Sequence, residues 1–356
     1  MKILIFCINV CYIVKSFALL NLNTKALLFC TENLGKIIGD LTDASLSQSQ
    51  RLVKCILEQT NIDKINKKGL GYVLENNVES LLSPKEQEKR KGYKPHPRTE
   101  RRQKRSIIER TYQPPFYEDF DDHFLVRHKR SVESIPKTTR INYQKELTPP
   151  LDQKLCASCY AFVSTALIEH YLYKTTGNIS ELSVQHFVDC SGPPNYWNNG
   201  CNWGHFGDCA DYLKEKPGVY HESDYPYIAT EQNCHHKSNQ ILKSTIVEYV
   251  ELSDEFAAYE ALKAGYLVAG AVCVTNHFRF YKNGILNGDA ACGCKKPDHA
   301  IVIVGIAFEP SYNMFYWIIR NSWGTSYGAS GHVRMKAFSN CAAINSDLGH
   351  FKITSK

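Results

Sequence analysis

With 356 residues, 43% of them hydrophobic, the chain can bury a full core and hold more than one domain. Its formal charge of +6 is unevenly placed: residues 1–130 carry 23 Lys and Arg against 15 Asp and Glu, and residues 131–356 carry 19 against 21. Basicity belongs to the N-terminal third, no basic cluster marks the remainder, and a nucleic-acid partner is excluded on that ground.

Residues 1–18 begin with Lys2, run apolar from 3 to 14 and end in Ser16-Phe17-Ala18. Small residues at the last and third-last places predict a signal peptide cut after Ala18, and a run that stops at Lys15 is too short for a membrane anchor. No later stretch predicts a membrane span, so the chain is expected in the secretory pathway. Residues 19–87 read as largely helical. Residues 88–130 differ in kind. Arg102-Gln103-Lys104-Arg105 precedes Ser106, and Arg127-His128-Lys129-Arg130 precedes Ser131. A basic run is ordinarily a solvated linker, but the same R-x-K-R tetrapeptide twice looks like the site cut by furin-type convertases. Cutting after Arg105 and Arg130 would excise 106–130 and leave Ser131 as a new N-terminus. Ten cysteines follow residue 131, a density that fits an oxidising compartment. No second ligand pair accompanies Cys292-Gly293-Cys294 at zinc-site spacing, so no metal is expected.

The stretch 153–162 ends an irregular run holding Pro149 and Pro150 and opens a segment, Cys159 to Thr176, free of Gly and Pro. Phe162, Ala166, Ile168, Tyr171 and Leu172 recur at helical intervals, Gly177 supplies the stop, and Ser158 is placed to cap. Asn178-Ile179-Ser180, just past the stop, is a glycosylation sequon at Asn178. A thiol in the first turn of a helix feels the positive end of its dipole, which favours the nucleophilic thiolate. On the helix start alone, Cys159 is equally a half-cystine or a small buried residue. Further on, Asp298-His299-Ala300 leads into an apolar run, 301–307, that reads as a buried strand. A second strand, Met314 to Arg320, delivers Asn321-Ser322-Trp323-Gly324. A cysteine nucleophile needs a base, and an imidazole needs an amide or carboxylate to fix its ring. His299 and Asn321 supply these, and Trp323 can keep water from their contact.

Together these residues resemble the papain-like cysteine peptidases, whose local signature C-G-[SA]-C-[WY] corresponds to Cys156-Ala157-Ser158-Cys159-Tyr160, with alanine in place of the glycine and His and Asn far downstream. The resemblance implies an α+β, papain-like two-domain fold over 131–356. A helical left domain occupies about 150–245 and a β-barrel-like right domain about 246–356, with the active cleft between them. It implies a Cys159 thiolate–His299 imidazolium pair oriented by Asn321, and an oxyanion hole formed by Gln153 and the Cys159 N–H. It pairs Cys156 with Cys201, Cys190 with Cys234, and either Cys292 or Cys294 with Cys341; Cys209 and Cys273 have no assigned partner. Gly204 meets the substrate backbone. Trp203 and Ala157, where relatives carry glycine, crowd the cleft, and Tyr160 and Tyr327 stand in for tryptophans. Phe206, Ala271, Pro297, Ala300 and Ser346 match the pocket for the second side chain before the cut bond and suggest an apolar pocket with no charge at its base. Trp323 adds to the substrate-binding wall.

Residues 19–105 correspond to an inhibitory propeptide. Arg51, Ile62 and Asn66 keep the R-x10-I-x3-N spacing, Ser47, Cys55 and Glu58 depart from it, and Asn76, Val78 and Ser80 echo a second motif. The expected function is a secreted, lysosomal or vacuolar cysteine endopeptidase made as a zymogen. It would work as a monomer without a cofactor on peptide or protein substrates, with its own propeptide as inhibitor. A catalytically impaired binding protein and a Cys–His acyltransferase are the alternatives.

Overall fold

The computed structural model describes residues 28, 30–31, 46–97, 132–236 and 238–355; residues 1–18, expected to be a signal peptide, and both R-x-K-R sites, with Arg105 and Arg130, lie outside them. Helix α1 (Gln48–Asn66) starts in a capping box, where Ser47 and Gln50 each accept the other's backbone N–H. Strand β1 (Tyr72–Leu74) and the short helix α2 (Pro84–Glu88) complete this N-terminal segment. Strand β2 (Arg140–Asn142) leads to helices α3 (Cys159–Thr176), α4 (Val184–Cys190) and α5 (Phe206–Glu215). Then follow β3 (Thr245–Leu252), α6 (Glu255–Lys263), β4 (Val268–Val272), α7 (Asn276–Arg279) and β5 (Tyr281–Gly284). The last strands are β6 (His299–Glu309), β7 (Met314–Arg320), β8 (His332–Lys336) and β9 (Leu348–Ser355).

Helix α3 ends where its sequence says it should. Gly177 takes a left-handed φ of 74° and returns its N–H to Tyr173 O. Residues 159–170 are buried on every side, so α3 runs through a core rather than along a surface. The antiparallel sheet, in the order β3-β9-β4-β6-β7-β8 with β2 also on β6, lies against it. Strand β6 is buried on both faces, which is why its sequence is an unbroken apolar run. Ala300, Val302 and Val304 face the core of α3, α4 and α5. Ile301 and Ile303 face a second core with Trp317, Val268 and Phe278. A register shift between Ile303 and Gly305 changes the phase, so Ile306 joins the second core. Gly305 has no room for a Cβ because Ile141 O of β2 fills that space. Strand β2 thus belongs to the β-rich half, although it precedes the helices in sequence.

The N-terminal segment docks on that half. Strand β1 pairs antiparallel with β5, and Ile62, Tyr72 and Leu74 enter the second core. Asn66 fixes the strand by exchanging two hydrogen bonds with Leu74, at 2.8 and 2.9 Å. Arg51 and Glu86, both buried, form a two-armed pair at 2.8 and 2.9 Å. Glu79 joins the segment's Arg90 at 2.8 Å to Arg279 of α7 at 3.1 Å.

Five disulfides join described residues: Cys156–Cys201, Cys190–Cys234, Cys273–Cys294, Cys292–Cys341 and Cys30–Cys55. Of the two alternatives, Cys292 takes Cys341, and the spare Cys294 takes Cys273. Cys55, a departure by the motif, is half of a bridge that lies wholly inside the N-terminal segment. Among the described residues Cys159 and Cys209 are the free thiols.

Candidate active site

Cys159 opens α3, where unpaired backbone N–H groups gather. The Cys156–Cys201 bridge ties the turn before it to the loop carrying Gly204. Ser158 holds the cap position but makes no capping bond; its hydroxyl donates to Tyr227 Oη at 2.9 Å, whose own proton goes to Gln153 O at 2.8 Å. His299 begins β6 and Asn321 follows the end of β7, and antiparallel pairing brings these two points together.

His299 Nε2 lies 2.7 Å from Asn321 Oδ1. The same oxygen accepts the Ser322 N–H at 2.9 Å, which identifies it as the acceptor end of the amide. The imidazole therefore donates through Nε2 and keeps its lone pair on Nδ1, which is buried and has no hydrogen-bond partner. Cys159 Sγ accepts the Ala300 N–H at 3.3 Å, so the thiol lies against the histidine's own strand. The Trp323 ring centres 5.0 Å from His299 and is buried. Gln153 is fixed at both ends. Its Oε1 accepts Ser322 O–H at 2.7 Å, and its Nε2 donates to Cys156 O at 2.9 Å and to Lys91 O at 3.2 Å.

Lys91 belongs to the N-terminal segment, whose residues 90–94 lie along the cleft. Trp323 Nε1 donates to Arg90 O at 2.9 Å. Gly92 and Tyr93 both donate to Asp298 O at 3.2 Å. Gly204 donates to Gly92 O at 2.8 Å and accepts from Lys94 N–H at 3.1 Å. Gly92, at φ +133°, passes so close to Ala157 that a Cβ would enter the space of its carbonyl. Lys91 pairs with Asp298 at 2.8 Å, and Arg90 with Asp152 and Glu79. The groups expected to meet a substrate are thus occupied by the chain itself.

Burial under this segment sets the charge state. The Cys159 thiol is pushed up to about 12 by loss of solvent, against which the Ala300 and Tyr160 N–H groups work. His299 is pulled down to about 3, first by burial and then by the charges of Arg90, Lys91 and Arg279, despite its bond to Asn321. Burial under the segment thus favours the uncharged form of each group, and the thiolate–imidazolium pair belongs to the cleft once it is open to solvent.

The side-chain pocket also differs from expectation. Tyr93 enters it, its ring stacked on Phe206 at 6.1 Å and its hydroxyl donating to Asp347 Oδ2 at 2.7 Å. Ala271 and Ala300 belong to the same buried cluster as Tyr93 and Phe206. Expected to lack a charge at its base, the pocket has a buried carboxylate there, one residue beyond the expected Ser346, which is half-buried. His205 Nε2 at 2.6 Å and the phenols of Tyr93 and Tyr249 hold that carboxylate below its usual range despite burial. Trp203 packs at a tilt on Trp197, with ring centres 4.8 Å apart, and Lys94 Nζ sits 4.0 Å from its ring centre, so it walls the groove beside the segment. Tyr160 donates to Gly200 O at 2.9 Å, and Tyr327 packs on Trp323 at 4.9 Å. Asn178 is exposed.

A cysteine at a helix start and an asparagine-fixed histidine at a strand start, meeting between a helical and a β-rich half, define the papain-like class of fold. The chain belongs to the papain family of cysteine proteases, whose model matches residues 135–349. Human cathepsin L2 is 34% identical over 205 residues, 56% of this chain and 60% of that protein. Cathepsin L of Sarcophaga peregrina is 29% identical over 265 residues, 73% and 72% of the two chains. The chain's match to cathepsin L2 thus spans about three fifths of that relative's length. Among solved structures, the digestive procathepsin L2 proteinase from Tenebrio molitor larval midgut superposes with a TM-score of 0.72 at 21% identity, over 92% of this chain and 99% of that one. The proform of the ragweed pollen allergen Amb a 11 cysteine protease gives 0.69 at 19%, over 94% and 87%. These likenesses establish the fold.

Proposed function

We propose that the protein is a cysteine endopeptidase made as a zymogen and held inactive by its own N-terminal segment. The observation that carries this reading is the His299 Nε2–Asn321 Oδ1 bond, which leaves Nδ1 bare on the side of the ring not held by Asn321. With the cleft uncovered, Nδ1 takes the Cys159 proton and the thiolate attacks the substrate carbonyl. The oxyanion receives hydrogen bonds from the Cys159 N–H and Gln153 Nε2, the donor that Lys91 O now occupies. The imidazolium returns its proton to the leaving amine, leaving an acyl-enzyme; water then hydrolyses the thioester. Gly204 pairs with the substrate backbone, Phe206, Ala271 and Ala300 wall the side-chain pocket, and Trp203 and Trp323 flank the groove on its two sides.

Residues 1–18 act as signal, 19–105 as propeptide, and the segment 106–130 is excised by a convertase-type protease after Arg105 and Arg130. The mature domain starts at Ser131 in a secreted or lysosomal protein. One chain carries every group the reaction uses, which supports a monomer, and among the described residues no helix is long and apolar enough to cross a membrane. The test is to incubate the processed protein with a peptide library. Cys159→Ala should abolish every cut, and cutting that survives it refutes the assignment. Expression in convertase-deficient cells should leave Arg130–Ser131 joined; an unchanged N-terminus there makes self-cleavage the better account.

A further inference from the structure

The pocket that Tyr93 fills has apolar walls and one acceptor at its floor. Asp347 is buried, and its carboxylate collects three donors: His205 Nε2 at 2.6 Å, Tyr249 O–H at 3.0 Å and Tyr93 O–H at 2.7 Å. His205 is itself fixed, because its Nδ1 accepts the Gly207 N–H at 2.9 Å and so directs its Nε2 proton at the carboxylate. Tyr249 is pinned against Gly349, where any Cβ would overlap its ring. Two of the three donors therefore belong to the protease domain and stay in place. The third leaves with the N-terminal segment and exposes an acceptor at the bottom of a pocket shaped for an aromatic ring.

The segment itself indicates which side chain suits that site. Its sequence there is Lys89-Arg90-Lys91-Gly92-Tyr93-Lys94, so cations stand on both sides of the tyrosine. They go elsewhere: Lys91 to Asp298, Arg90 to Glu79 and Asp152, Lys94 to the Trp203 ring. A cation in the pocket must shed its water between Phe206, Ala271 and Ala300, whereas a phenol brings one neutral donor on an apolar ring.

We propose that the enzyme selects tyrosine as the second residue before the cut bond, and that Asp347 is the specificity-determining residue. This rests on the protease reading and adds a substrate class to it. A phenylalanine fills the same walls but leaves the floor acceptor without its third donor. A site built around a hydrogen bond discriminates against the analogue that lacks it. Loss of one bond to a buried carboxylate corresponds to about a 10- to 100-fold preference in kcat/KM.

The test uses the full chain after activation and matched peptides with Tyr, Phe, Leu or Arg at that position. Tyrosine should lead phenylalanine by about 10- to 100-fold, and Asp347→Ala, which removes the acceptor, should bring the ratio near unity, with thermal melting of its zymogen reporting that it folds. Equal rates for tyrosine and phenylalanine overturn the proposal while leaving the protease reading intact, and arginine outrunning tyrosine overturns it in favour of a cation pocket. A second measurement needs no turnover: in the intact zymogen, Tyr93→Phe should raise the alkylation rate of Cys159 by a similar factor. If no peptide is cut at all, the protease reading fails, and an alkylation rate unchanged by Tyr93→Phe then overturns the pocket assignment as well.

Discussion

Gly92→Ala is the sharpest probe of the covered cleft. A methyl group at this position enters the space of the Ala157 carbonyl, and φ +133° is a backbone conformation that residues with a Cβ rarely adopt. Backbone strain of this kind costs about 1–3 kcal/mol. Relief requires the 92–94 stretch to lift, which breaks four backbone bonds: two to Asp298 O and two to Gly204. Each contributes about 0.5–1.5 kcal/mol. Taking about 2 kcal/mol, the middle of the strain range, as the shift toward the lifted state, its population rises about 30-fold. Cys159 is buried while covered, so iodoacetamide reaches it only through that state. Alkylation of the intact zymogen at pH 7, followed by mass spectrometry, should therefore accelerate about 30-fold, by the same conversion. Gly69→Ala is the control: it also has positive φ, at +62°, but nothing lies near its Cβ, and it should leave the rate alone. If Gly92→Ala alkylates as slowly as the parent, the segment does not press on Ala157 and the account of inhibition is wrong.

Arg51→Ala leaves Glu86 buried with only the Ser83 backbone and hydroxyl for company, a loss of about 3–5 kcal/mol, and should lower the urea midpoint for release of the N-terminal segment. An unchanged midpoint would show that the pair does not hold the segment. The acid response follows from Asp347, whose carboxyl is held below the ordinary value of about 3.9. A depressed carboxyl contributes its full grip above that value and loses it as pH falls through the depressed one. Release of the N-terminal segment, read by the change in tryptophan fluorescence, should thus rise below about pH 4, and Asp347→Asn should flatten the rise; the same curve in both proteins would place the acid response elsewhere.

Much of this was legible because the signals are local. The Gly- and Pro-free run and Gly177 mark α3 to the residue, and the apolar run 301–307 locates β6, which extends two residues beyond it at each end. Strand β2 has three residues, too few to show alternation. Asp347 was missed by one position. The turn before it, Cys341–Ser346, holds Ala342 and Ala343 at left-handed φ of 52° and 61°, so no periodicity carries the register through it. Partners distant in sequence were hidden for a different reason. Nothing near Cys55 announces Cys30, and nothing near Tyr93 announces a pocket 254 residues away. The shifts of Cys159 and His299 toward their uncharged forms come from burial, which no motif encodes.

The Cys30–Cys55 bridge has a consequence for the life of the inhibitor. It closes within the N-terminal segment, and the other four bridges close within residues 156–341, so none of the five joins the two parts. A cut anywhere between residues 97 and 132 converts a tethered blocker into a separate molecule held only by mass action. Freshly cut enzyme should then show a lag that lengthens as the preparation is concentrated, and simple dilution should wake it.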